Sequence, residues 1–398
     1  MRDDSHKGWG NILSFSLLVM SISHCLTHVA GSIQAAIFPV IKEEFTLTNQ
    51  QLGVIVAIPA LCQALFTIPA GLLSDRIGAK KLTALSIGMA AAGALIAGLS
   101  RNIIMFTVAT ALLTLNSTFY HPSASSYVTR NASPKDRSKV LGLLDSGGIF
   151  GFALGPLSIT ILMETMGYSW RQTYLFWVIP IILGLGVLYF VEPESDGPPS
   201  SATEKPALET EKEPKLLSTG MTIFLLSTGI IGLGSSMTAT FLSIYLAESR
   251  GWSLASIGFM LGVSRLTGLI APPLGGGFAS RFGEKRCVVT SQFASYACFL
   301  AAFLTKDMLP FMMLYLAYNF LSTLGMPATQ AITAHLSPRR KMATGYALYF
   351  LPISIVGIIG PILAAFIADY VGMFPIFMVS AALFYLGLGM LELGVRID

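Results

Sequence analysis

Apolar stretches of about 20 residues or more, parted by short polar or turn-rich breaks, recur twelve times along the chain. In the first half they cover 12–40, 51–72, 81–99, 102–129, 138–164 and 170–191. In the second half they cover 217–247, 255–278, 287–304, 308–335, 341–368 and 372–394. A helix needs about 20 mostly apolar residues to cross a bilayer, so the pattern predicts twelve membrane-spanning helices. The intervening 192–216 is rich in Pro, Glu, Lys and Ser and cannot bury enough apolar area to fold. It is expected to be a solvated linker between a six-helix bundle at 1–191 and another at 217–398. The first apolar stretch is far longer than a signal-peptide core and lacks a clear cleavage site, so it reads as the first membrane helix.

The halves echo each other. Gly71-Leu-Leu-Ser-Asp75-Arg76-Ile-Gly78-Ala-Lys80-Lys81 has a weaker copy, Gly276-Gly-Phe-Ala-Ser280-Arg281-Phe-Gly283-Glu-Lys285-Arg286, 205 residues later. Pro122 and Pro327, Gly155-Pro156 and Gly360-Pro361, and Gly167 and Gly372 keep the same spacing. A duplicated unit in so apolar a chain points to a transporter built from two pseudo-symmetric halves.

Composition agrees: 53% of the 398 residues are hydrophobic and 12% charged, against about 25% charged in soluble domains. The net charge of +4 is carried in short runs between apolar stretches, which argues against a nucleic-acid partner. Nineteen Lys and Arg fall on one side of the predicted membrane. Five (Lys42, Arg101, Arg171, Arg250 and Lys306) fall on the other, and Arg265 lies inside a span. The positive-inside bias then puts both termini and the linker in the cytoplasm. Cys25, Cys62, Cys287 and Cys298 sit in or beside apolar stretches without metal-ligand spacing and are expected to be free thiols.

The Gly71–Lys81 stretch resembles the loop signature of the major facilitator superfamily, between its second and third helices. Gly78 suits a tight turn. Asp75, with Arg76 beside it, suits a charge latch at a helix N-terminus or against a cation. Ser280 replaces Asp75 in the copy, so any latch is expected to be stronger in the first half. Gly151-Phe-Ala-Leu-Gly155-Pro156 resembles the fifth-helix motif of proton-exchanging exporters in that superfamily. Small residues four apart also suit ordinary close helix packing. Ser23-His24, Ala36-Ile-Phe-Pro39, Gln51-Leu-Gly53 and Phe119-Tyr-His-Pro122 are together similar to the fosmidomycin-resistance branch of drug efflux proteins. His28 stands where that branch tends to carry an acid, and Ala109–Ser117 lacks the Arg of many proton-coupled exporters. The superfamily resemblance implies an all-α membrane protein with helices 1, 4, 7 and 10 lining a cavity.

Ionisable groups inside spans are costly and therefore candidates for function. His24 and His28 lie four apart on one face of helix 1. Helix 4 offers Asn116, Tyr120 and His121, and helix 10 offers Tyr315, Tyr318 and Asn319. Histidine titrates near neutral pH, so His24 or His28 can carry a coupled proton, or each can simply bond a neighbouring helix. His121 precedes Pro122, where freed carbonyls invite a structural bond as readily as a substrate contact. Asp145 lies about 10 Å into its span and Arg265 about 16 Å into its own. They can form a pair that breaks during transport, or Arg265 can hold an anion by a two-pronged bond.

No phosphate-cradling Gly-rich loop ending in Gly-Lys-Ser/Thr is present, which removes ATP as the drive within this chain. No Ser/His/Asp set, metal cluster or paired carboxylate at usable spacing falls within the spans, so an enzyme is not expected. The expected function is secondary active transport by alternating access: proton-coupled export of a small organic compound, anions included. Uptake or exchange of a small organic anion is the alternative. A membrane sensor on the same scaffold is a third reading, from another class. The partners implied are a small-molecule substrate, a proton or counter-ion and the lipid bilayer, with the chain acting as a monomer and no cofactor.

Overall fold

The computed structural model describes residues 14–131, 137–192, 217–337 and 342–395. The predicted linker, apart from Glu192, and both chain ends lie outside these residues. The described residues form helices and the short turns between them. The first half comprises α1 (Phe15–Glu44), α2 (Asn49–Ile77), α3 (Ala79–Leu99), α4 (Ile103–Arg130), α5 (Arg137–Ser158) and α6 (Trp170–Leu188). The second half comprises α7 (Thr219–Ile244), α8 (Leu254–Leu266), α9 (Ala271–Phe282), α10 (Glu284–Leu304), α11 (Met308–Leu324), α12 (Met326–Leu336), α13 (Met342–Tyr370) and α14 (Met373–Gly394). Eleven spans are long and apolar enough to cross a bilayer by themselves, one of them α11 and α12 together. The bent pair α8–α9, turned by 43°, makes the twelfth. That bend falls at Pro272 and Pro273, which lack the N–H groups a continuous helix needs.

Local chemistry sets the helix ends. Asn102 caps α4 by accepting from Met105 N at 2.9 Å, and Ser218 caps α7 by accepting from Met221 N at 3.2 Å. Ser169 and Gln172 form a capping box at the start of α6. The duplication is written in the backbone as well. Among the described residues, those with positive φ are Thr46, Gly78, Gly167, Gly251, Gly283 and Gly372. They form three pairs, each 205 residues apart: Thr46 with Gly251, Gly78 with Gly283, and Gly167 with Gly372. Five are glycine, as a left-handed turn favours. The exception, Thr46 at φ 49°, carries a β-branched side chain that this conformation strains. Thr46→Gly is therefore expected to raise thermal stability by about 1 kcal/mol. A lowered unfolding midpoint in detergent would show that Thr46 is held there by contacts its side chain makes.

The chain divides into two compact units, Met1–Gln34 with Cys62–Glu209 and Ala35–Leu61 with Thr210–Asp398. In the first, α1 lies directly on glycines of α5. A Cβ placed on Gly147 would sit 2.0 Å from Ser21 O, on Gly151 2.2 Å from Cys25 O, and on Gly155 2.0 Å from Ser32 Oγ. These positions need glycine because backbone meets backbone. The exporter-like motif is, in this structure, the floor on which α1 rests. Elsewhere in this unit Thr83 of α3 bonds Ser123 of α4 at 2.9 Å, and Arg171 Nε of α6 donates to Ser100 O at 2.7 Å.

The second unit repeats the device. A Cβ on Gly360 of α13 would lie 2.6 Å from Ser236 Oγ of α7, the counterpart of the Gly155 contact. Ser227 Oγ of α7 donates to Gly387 O of α14 at 2.6 Å. An aromatic core of Tyr296, Phe299, Phe303, Phe377 and Phe384 fills this unit, with Phe303 and Phe377 stacked 4.1 Å apart. The ends of α1 and α2 around the loop between them also belong here. Phe38 and Leu52 pack with Met237, Phe241 and Ile244 of α7 and with Ala364 and Ala365 of α13. Lys42 pairs with Glu248 at 2.9 Å, and Asn49 Nδ2 donates to Asp369 Oδ1 at 2.8 Å.

The signature loops act through lysine. Lys80 Nζ donates to the carbonyls of Tyr189 and Val191, just beyond the end of α6. Its counterpart 205 residues on, Lys285, donates to Glu392 O near the end of α14 at 2.6 Å. A cation at a helix C-terminus meets the negative end of the macrodipole and carbonyls that have no helical donor. The side chain of Asp75, where the sequence placed a latch, lies outside the described residues. Arg76 is exposed at the end of α2.

Candidate functional site

In the first unit, α1, α4 and α5 bring polar groups together well inside their spans. His24 is buried, and its Nδ1–H donates to Leu144 O of α5 at 2.7 Å, since a carbonyl only accepts. That fixes the neutral His24 tautomer with a lone pair on Nε2, which lies 3.2 Å from His28 Nε2. Gly148 makes room: a Cβ there would fall 2.7 Å from the His24 ring. The His24 ring stacks on Tyr120 at 5.0 Å, and His28 stacks on Phe152 of α5 at 4.0 Å.

His121 of α4 completes the group. Its ring centroid is 5.1 Å from that of His24 and 5.2 Å from that of His28, while His24 and His28 are 5.0 Å apart. One ligand nitrogen from each of the three lies within 4.8 Å of the other two. The pairing of His24 with His28 was legible from their spacing. The arrival of His121 corrects the expectation that the spans hold no metal-type cluster. His24 and His28 are buried and His121 is exposed. Asp145, next to Leu144, is exposed as well.

Asn116 and Tyr120 behave differently. Asn116 is fully buried and its Nδ2 donates to Thr27 O of α1 at 2.9 Å. Tyr120 is also fully buried; its hydroxyl donates to Met20 O at 2.6 Å and meets Ser23 Oγ at 2.8 Å. Both staple α4 to α1, and neither is exposed in this conformation. In the sequence Ser23 stands out only beside His24; its bond to Tyr120 carries no signal until the partner is known.

In the second unit, Tyr315, Tyr318 and Asn319 share α11. Asn319 Nδ2 donates to Tyr315 O at 2.9 Å, within its own helix. Tyr318 lies 5.1 Å from Phe299, and Ser295 Oγ donates to the Tyr318 carbonyl at 2.8 Å. Arg265 is exposed on the last turn of α8, where its charge acts on both Tyr315 and Tyr318.

A polytopic membrane protein with internal duplication, glycine-floored helices and buried polar groups deep in its spans has the construction of a solute carrier. The family model of the Major Facilitator Superfamily matches residues 20–231 and 224–396, and the chain belongs to that family. It is an integral membrane transporter rather than an enzyme. The chain is similar to the multidrug resistance protein MdtG of Escherichia coli (strain K12 / DH10B), with 24% identity over 92% of this chain and 91% of the relative. Among solved structures, a bacterial homologue of the human lysosomal transporter Spinster, inward-facing and occupied, superposes with a TM-score of 0.78. That match has 15% identity and covers 96% of each chain. The nucleoside transporter NupG superposes with a TM-score of 0.77 at 12% identity, covering 96% of this chain and 100% of the other. Both likenesses establish the twelve-span major facilitator fold.

Proposed function

We propose that this protein exports a small organic compound across the cell membrane in exchange for protons, by alternating access, as a monomer with both termini in the cytoplasm. The observation that carries this reading is the group of His24, His28, His121 and exposed Asp145 inside the first-unit spans of a major facilitator chain. Such groups are too costly in a membrane to persist as packing alone. The length-wide likeness to a multidrug resistance protein supports outward transport of a drug-like solute. Asp145 is the group we assign to the proton, because it is a carboxylate within a span and open at its surface. The rings of His28, His121 and Phe152 suit a flat organic substrate.

Everted membrane vesicles test this. Acidifying the lumen should drive substrate uptake into the vesicle, and an uncoupler should abolish it. A second reading rests on Arg265, an exposed guanidinium within a span beside two tyrosines, which suits a carboxylate or similar anion. Substrate-for-substrate exchange that ignores uncouplers and disappears in Arg265→Ala would overturn proton-linked export in favour of anion exchange.

A further inference from the structure

We propose that His24, His28 and His121 form a binding site for a divalent transition-metal ion of the zinc, cobalt, nickel and copper class. The proposal stands on geometry and does not depend on the direction or coupling of transport. Imidazole nitrogens about 2.0–2.1 Å from a tetrahedral ion lie about 3.3–3.4 Å from one another. His24 Nε2 and His28 Nε2 are already 3.2 Å apart. The three ring centroids stand at 5.0, 5.1 and 5.2 Å, a nearly equilateral triangle. The third nitrogen lies within 4.8 Å of the other two, so rotation of the exposed His121 side chain closes the set.

The surroundings fit ligation. His24 donates Nδ1–H to Leu144 O, the bond that usually orients a metal-bound imidazole and leaves Nε2 to face the ion. His24 has no proton on Nε2 in this tautomer, so His28 supplies the hydrogen of the 3.2 Å contact. On metal binding that proton moves to His28 Nδ1, or leaves if His28 began charged, and the Nε2 lone pair turns to the ion. Phe152 backs the His28 ring, and Gly148 leaves the His24 ring in contact with α5. Three nitrogen donors select borderline transition metals over magnesium and calcium, which prefer oxygen. Three nitrogens on a tetrahedral ion would leave a fourth position for water or another ligand, as in three-histidine zinc sites.

The test uses the full chain in detergent, purified on a tag without histidine, and titrated with cobalt(II). One equivalent should bind, giving the visible absorption of a four-coordinate site, and zinc should displace it while magnesium should not. His121→Ala and His28→Ala should each weaken binding by about tenfold or more. His335→Ala, a change in the second unit beside Glu284, should leave binding intact. His121 makes no hydrogen bond to another helix among the contacts described, so its variant is the one expected to fold without loss, as helical circular dichroism and a monodisperse elution would verify. Absence of stoichiometric cobalt binding by the parent, or parent-like binding by a folded His121→Ala protein, overturns the proposal.

Discussion

Gly151→Ala is expected to lower the unfolding midpoint of the purified protein, while Gly142→Ala on the same helix raises it. The added Cβ at 151 would lie 2.2 Å from Cys25 O, 2.9 Å from its carbonyl carbon and 3.0 Å from its Cα. No side-chain rotation relieves a clash with backbone, so α1 must move away from α5. That movement loosens the Gly147 and Gly155 contacts and pulls His24 from Leu144 O. Overpacking of this kind costs about 1–3 kcal/mol, and the low capacity of a backbone seam to yield places Gly151 at the upper end. At Gly142 a Cβ meets nothing within 4 Å, so alanine there gains about 0.5–1 kcal/mol of helix propensity. Transport should fall with Gly151→Ala and persist with Gly142→Ala. Equal midpoints for the two variants would show that α1 and α5 are not in backbone contact.

Asp145→Asn is expected to abolish uphill transport while sparing downhill exchange. One proton returning across a gradient of one pH unit supplies about 1.4 kcal/mol, enough to hold a solute about tenfold concentrated. Asparagine keeps the shape and hydrogen-bonding reach of the side chain but has no proton to release. In proteoliposomes with an imposed pH gradient the roughly tenfold accumulation should therefore collapse to about one. Counterflow of labelled against unlabelled substrate, which needs no net proton movement, should continue. If Asp145→Asn still accumulates substrate against its gradient, another group carries the proton.

The span positions were readable from the chain because a bilayer imposes a length on apolar segments that soluble folds do not. Their duplication was readable because Gly78 and Gly283, or Gly167 and Gly372, must be glycine for backbone reasons that survive divergence elsewhere. The shared face of His24 and His28 followed from helical spacing alone. That His121 would join them did not, because it depends on how closely α4 and α1 pack, which spacing along one helix does not give. Asn116 and Tyr120 show the complementary difficulty. A polar side chain inside a span reads the same whether it faces a cavity or the second lone pair of a neighbouring helix carbonyl, here those of Thr27 and Met20. The role of Lys80 was hidden for a related reason: the carbonyls at the end of α6 leave no mark on the residue types that carry them.

The two lysine contacts fasten each signature loop to the last helix of its half. Lys80 meets two peptide oxygens, whereas Lys285 meets one and also stands 3.7 Å from the Glu392 carboxylate. Peptide oxygens carry no titrating proton, so the backbone part of each tie keeps its acceptor at any acidity. Loop and last helix in each half are therefore joined into one mechanical piece.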